Sequence, residues 1–173
     1  MVLAHDEESL HFGRVAVLVM STHKPPPELE ARVRQYLNVV GSGVKLNRFL
    51  GDGTDGAVWA TNLDTAVKVY WRERGYHNEC AAYDLLARFG VTDSIDGFWV
   101  PQVQNTNDDL LVVEMDMMHN PPFIIDFAKV RLYSSPEFSE ETLAENQRQG
   151  RELFEGNWPA VVSLISCLER MRI

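Results

Sequence analysis

The stretch "FLGDGTDGAVWATNLDTAVKVYW", Phe49 to Trp71, narrows the possible folds more than any other part of the chain. Gly51, Gly53 and Gly56 form a GxGxxG pattern. Several unrelated phosphate sites share that pattern, and the residues after the third glycine decide between them. A dinucleotide-binding fingerprint needs a helix there, with its N-terminus on the pyrophosphate. Here "AVWATN" alternates like a strand. A P-loop needs Gly-Lys-Ser/Thr at its end, but Gly56 is followed by Ala57. What remains is a glycine loop between two antiparallel strands. It is either a plain hairpin or a flap over a ligand. Glycines suit the flap because they accept positive φ and let backbone N–H groups approach phosphate oxygens.

The patterning around the loop predicts an α+β fold. "RVAVLVMS" reads as a short strand. "THKPPPELEARVRQYLNVV" reads as a turn and a helix, with Leu29, Val33, Tyr36, Leu37 and Val40 at helical spacing and "GSG" at its end. "VKLNRFLG", "AVWATN" and "TAVKVYW" then read as strands, with a tight turn at Asn62 to Asp64. A helix is expected from about Gly75 to Phe89, closed by Gly90. Two more strands, "FWVPQVQ" and "DLLVVEMDMM", flank a turn at "NTNDD". "HNPPF" is a break, and "IIDFAKVRLY" reads as an extended connection. Two helices close the chain, the first capped by Ser139 and the second carrying the stripe Val162, Ile165, Leu168 and Met171. Strands are not interleaved one by one with helices, so a five-stranded antiparallel sheet is expected, not a doubly wound one. The boundaries implied are an extension at 1–43, a sheet domain at 44–118, and a linker with two helices at 119–173.

Composition limits the function classes. In 173 residues, 45% are apolar, enough for a core, and the net charge is −9. An acidic chain is a poor binder of nucleic acid or of anionic membranes. The run "VAVLVM" is too short to span a bilayer, and the first residues carry charges where a signal peptide would be apolar. Cys80 and Cys167 form no CxxC pair, which fits reduced thiols. A cytoplasmic protein is expected. The histidines lack ligand spacing, so no metal site is expected from sequence.

Two charged residues fall on faces that should be buried. In a strand, Ala66, Lys68 and Tyr70 share one side, and Val67, Val69 and Trp71 the other. Lys68 therefore sits on a largely apolar face, where it either sends its amine to water along a packed stem or needs a counter-charge. On the following helix, Tyr76, Glu79, Ala82, Tyr83 and Leu86 form one stripe. An inward Glu79 and an inward Lys68 can satisfy each other.

Gly51-x-Gly53-x-x-Gly56-x-Val58, then Ala66-Val67-Lys68, then Glu79, then the strand ending "VVEMD" resembles the N-lobe of the protein-kinase-like fold over Val44 to Met118. The short spacing from Lys68 to Glu79 resembles compact microbial kinase-like and small-molecule kinase families more than typical eukaryotic kinases. The resemblance implies an ATP site. Gly51, Gly53 and Gly56 would cover the phosphates, and Val58 and Ala66 would contact the adenine plane. Lys68, paired to Glu79, would touch the α- and β-phosphates. Val113 would be the gatekeeper, and the backbones of Glu114 and Asp116 would meet the adenine edge.

The chemical half of a kinase is not evident. There is no HRD-like segment followed by a suitable asparagine. "CLERMRI" resembles the helix before the catalytic loop, so the sequence is expected to stop short of it, as a piece of a longer kinase or as a remnant. "IIDFAKV" resembles a metal-binding DFG segment, but too few residues separate Glu114 from Asp126 for two helices and a catalytic loop. An ordinary connection with a solvated Asp126 is expected, with a rearranged metal site as the alternative. ATP would bind weakly, and Mg only with further residues. A different reading is a scaffold module without nucleotide, its C-terminal stripe covered by a second copy or a partner chain. An enzyme acting through another site is a third reading, though neither cysteine has an evident histidine partner.

Overall fold

The computed structural model describes residues 24–41, 43–118, 127–129, 132–133 and 139–173. The strand expected at "RVAVLVMS", the break at "HNPPF", and Asp126 lie outside these residues. Helix α1 spans Pro27–Val40, with proline in its first turn. Strands β1 (Leu46–Asp52), β2 (Gly56–Thr61) and β3 (Thr65–Tyr70) follow. Helix α2 (Glu73–Arg88) comes next, then the short strands β4 (Ser94–Ile95) and β5 (Phe98–Trp99). Strands β6 (Val103–Asn107) and β7 (Val112–Asp116) precede a 3-10 turn at Phe127–Lys129. Helices α3 (Glu140–Phe154) and α4 (Trp158–Arg170) are joined by a 3-10 turn at Glu155–Asn157. The fold is α+β. Its main sheet is antiparallel, in the order β1-β2-β3-β7-β6.

Both faces of the sheet are covered. That is why β2 and β3 are buried almost throughout and are apolar on both sides. Leu29, Val33, Tyr36 and Leu37 of α1 join Ala57, Trp59, Val67, Val69, Leu110 and Val112 in one core. The opposite face meets α2, where Tyr70, Tyr76, Val113 and Ala128 form a second cluster. The sheet thus has two packed helices where one was expected. Arg32 fastens α1 to its face by donating to the carbonyls of Tyr70 (2.7 Å) and Leu110.

The expected strand "FWVPQVQ" is split. Phe98 and Trp99 pair with Ser94 and Ile95 in a separate hairpin. Asp96 and Gly97 both take positive φ at its tip, as a two-residue turn requires. Pro101 follows and has no N–H for a ladder, and β6 starts only at Val103. The turn expected at "NTNDD" falls later, because Asn105 to Asn107 are still in β6. The Asn107 side chain accepts from the Leu110 N–H at 2.9 Å and makes the turn.

Helix ends follow local chemistry. After α2, the Gly90 N–H reaches the Ala87 carbonyl and the Val91 N–H reaches Leu86, both at 3.0 Å, with Gly90 at φ +76°. Ser139 caps α3 through the Thr142 N–H at 3.2 Å. In α4 the buried residues are Val161, Leu164 and Leu168, the last two packed with Leu86, Ile95 and Val100. The expected stripe differs: Val162 is 41% exposed, while Leu168 is buried. Strict three-residue steps of about 100° per residue wind around a helix, so Val162 and Met171 lie on opposite sides. Steps of three and four, as from Val161 to Leu168, hold one face.

Candidate functional site

Alternation in β3 carries Lys68 onto the α2 face, between Val58 of β2 and Val113 of β7. Helical spacing brings Glu79 of α2 over the same point. The Lys68 Nζ lies 2.6 Å from Glu79 Oε2, and both residues are 5% exposed. The ammonium does not reach water along its stem. Tyr70 completes the group: its hydroxyl donates to the same Glu79 oxygen, and its ring lies 4.9 Å from the Lys68 ammonium. Two donors on one carboxylate oxygen hold Lys68 and α2 in fixed register.

The glycine hairpin lies beside this group. Gly51 sits at a bulge in β1 and takes a positive φ. The Gly53 N–H closes the hairpin on the Gly56 carbonyl at 2.8 Å. Gly56 is required by a close approach: a Cβ there would lie 2.0 Å from the Val69 carbonyl oxygen of β3. Trp71 ties down the tip, with its N–H on the Asp55 carbonyl (2.9 Å) and its indole on the Gly53 carbonyl (3.1 Å). Val58 and Ala66 are buried in one cluster with Leu50 and Ala60, and the partly buried Met115 and Met117 pack against it.

The strand read as ending at "VVEMD" does end at Asp116, so the residues expected to form the hinge lie inside it. Val113 is fully buried opposite Lys68. Glu114 is inside the ladder, between Val67 and Asn105. The Asp116 N–H donates to the Gln102 carbonyl at 3.0 Å, and its carboxylate accepts from the Gln102 N–H (3.1 Å) and the Gln104 amide (2.6 Å). The backbones expected to meet an adenine edge are therefore committed to the sheet, which ends only after Asp116. Met115 stands opposite Ala66 on the cluster surface. The Glu114 side chain has a different task. It is buried on the α1 side and accepts from Tyr36 and Thr65 hydroxyls, both at 2.6 Å. Burial, then the Glu114 carboxylate, pushes the Tyr36 phenol well above its ordinary range.

The sequence reading also missed the docking of Phe127–Lys129. An extended connection was expected, but these residues form a turn on α2. The Asn78 amide donates to the carbonyls of Phe127 (2.9 Å) and Ala128 (3.1 Å). The Phe127 ring meets Tyr83 edge-on at 5.2 Å. Lys129 reaches the hairpin tip, with its Nζ 3.2 Å from Asp55 Oδ2. Periodicity signals none of this. Asn78 beside Glu79 was the one local hint, a polar side chain next to an inward-facing residue.

A cleft of about 370 Å³ opens between Tyr76, Cys80 and Tyr83 of α2, Val103 of β6, and Asp108 in the turn after β6. The Tyr76 hydroxyl donates to Asp108 there. Burial raises the Cys80 thiol above its ordinary value, away from the reactive thiolate. Among the described residues, no group of three or more His, Cys, Asp or Glu side chains could hold a metal ion. Among them, too, no helix is long and apolar enough to cross a membrane. The chain matches no family model and no curated protein.

Proposed function

We propose that this chain carries the nucleotide-binding half of a protein-kinase-like fold and holds ATP through its phosphates, with phosphate transfer not assigned to these 173 residues. One observation carries the reading: a lysine and a glutamate, both 5% exposed, are paired at 2.6 Å beside a glycine hairpin. A buried ion pair adds little net stability compared with apolar residues of the same volume. Its value lies in holding an ammonium at one place. Lys68 held by Glu79 and Tyr70 is aimed to meet the α- and β-phosphates, and Gly51, Gly53 and Gly56 would cover them. The adenine would rest on the surface of Val58, Ala66 and Met115. The described residues offer no acidic cluster for Mg, so a metal would need ligands beyond them.

Calorimetric titration with a non-hydrolysable ATP analogue tests the reading. A Kd of about 1 mM or tighter is expected, equivalent to about −4 kcal/mol, and Lys68→Ala should abolish it. No binding at millimolar nucleotide, with no difference between wild type and Lys68→Ala, would overturn it.

One observation favours a scaffold module instead. Leu50, Val58, Ala60 and Ala66 are already buried by protein. Under that reading the surface is core and the Lys68–Glu79 pair is purely structural. ATP binding that is lost in Lys68→Ala decides against it.

A further inference from the structure

The tip of the glycine hairpin meets a cation other than Lys68. Lys129 lies 3.2 Å from Asp55, and the two side chains are 25% and 23% exposed. Lys129 stands on a firm seat. Its turn is fixed to α2 by the Asn78 amide and by Phe127 against Tyr83. Ala128 packs with Tyr70, Tyr76 and Val113, which surround the Lys68–Glu79 pair. A Cβ on Gly75 would lie 3.9 Å from the Asp55 carboxylate, so the hairpin tip rests on the first turn of α2. Hairpin, helix and turn therefore converge at one point, beside the place proposed for the phosphates.

The charges there do not suit a plain phosphate flap. A carboxylate at the tip repels a polyphosphate, and in a partly desolvated place that repulsion is weakly screened. Lys129 neutralises it. An ammonium already facing an anion at the flap is placed to face a more highly charged one. We propose that Lys129 is a second phosphate-contacting residue of this site, and that Asp55 is the internal anion holding it until a nucleotide arrives. The polyphosphate takes the ammonium from Asp55. The hairpin tip is then held by the two Trp71 contacts and can settle over the phosphates. This rests on the nucleotide reading.

The test compares ATP with adenosine, which lacks phosphates. Lys129→Gln should weaken ATP about tenfold or more, the scale of one charge-assisted hydrogen bond, and leave adenosine unchanged. Lys129→Arg should restore most of the loss. Asp55→Asn should tighten ATP about threefold, the scale of a partly exposed ion pair. Asp52→Asn removes the same charge from the hairpin without touching Lys129, and should have no such effect. The gain from Asp55→Asn should vanish when Lys129→Gln is also present. Unchanged ATP affinity in Lys129→Gln, or an equal gain in Asp52→Asn, overturns the assignment while Lys68→Ala still abolishes binding. If wild type binds no ATP, the nucleotide reading falls and this assignment with it. Adenosine binding by each variant shows that the variant is folded.

Discussion

Breaking the buried pair one partner at a time should cost far more than removing it whole. Lys68→Met takes away the ammonium and leaves the Glu79 carboxylate buried, though still bonded by the Tyr70 hydroxyl. Glu79→Leu takes from the ammonium and from the Tyr70 hydroxyl the one carboxylate oxygen to which both donate. Single losses of a buried ion-pair partner cost about 3–5 kcal/mol. The second hydrogen bond lost, from the Tyr70 hydroxyl, adds about 1 kcal/mol or more. Lys68→Met should therefore fall near the low end, about 3 kcal/mol, and Glu79→Leu near 5 kcal/mol or above. The double variant Lys68→Met/Glu79→Leu removes both charges of the pair, and Met and Leu fill much of the same volume. It should lie within about 2 kcal/mol of wild type, which means a coupling of several kcal/mol. Urea unfolding at pH 7 reads this directly. With a slope of about 2 kcal/mol/M, the singles should lose about 1.5–2.5 M in midpoint and the double about 1 M or less. Tyr70→Phe should cost less in the Glu79→Leu background, where its bond to Glu79 is already gone, than in wild type. A double variant whose loss equals the sum of the singles would refute the reasoning, because it would mean that the two groups do not share one buried contact.

Three further outcomes follow from particular contacts. Gly56→Ala would place a Cβ against the backbone oxygen of Val69, so the hairpin must shift. A loss of about 1–3 kcal/mol or more is expected by thermal or urea unfolding. On α4, Val162→Asp should be nearly neutral, whereas Leu164→Asp should cost about 3 kcal/mol or more and expose the cluster around Leu86 and Val100, read by unfolding midpoints. Tyr36 and Tyr76 both have phenols raised above the ordinary value of 10.0, first by burial and then by a carboxylate partner. A raised folded-state value gives stability that is complete below about pH 10 and fades as pH climbs past it. Base-induced unfolding between pH 9 and 12 should therefore be blunted in Tyr36→Phe/Tyr76→Phe relative to its own stability at pH 8.

The central strands and the inward charges were legible because each depends on a local period. Two-residue alternation puts Lys68 on one face of β3, and the stripe through Tyr76 and Glu79 turns α2 toward it. Neither needs knowledge of the rest of the chain. The same alternation places Glu114 on the face opposite Val113. Treating Glu114 as a hinge residue hid that signal, and with it the contact to Tyr36. The Asp96–Gly97 turn also had a readable signature, and Pro101 marked the break after it. By contrast, α1 shows an amphipathic face without saying which surface it covers. The docking of Phe127–Lys129 on α2, and the contact of Lys129 with Asp55, are long-range packing. They depend on how the chain returns after β7, and no local pattern encodes that. The α4 face was missed for a simpler reason: a spacing of three alone was followed where three and four alternate.

The most direct test of the nucleotide site uses the variant that removes the cation together with the Glu79 carboxylate that holds it. Titrate ATP and adenosine into wild type and into Lys68→Met/Glu79→Leu. The account predicts that wild type prefers ATP to adenosine by about tenfold or more, and that the double variant keeps adenosine while that preference falls by about tenfold or more. Equal affinities for the two ligands in wild type, or a preference for ATP that is undiminished in the double variant, would contradict it.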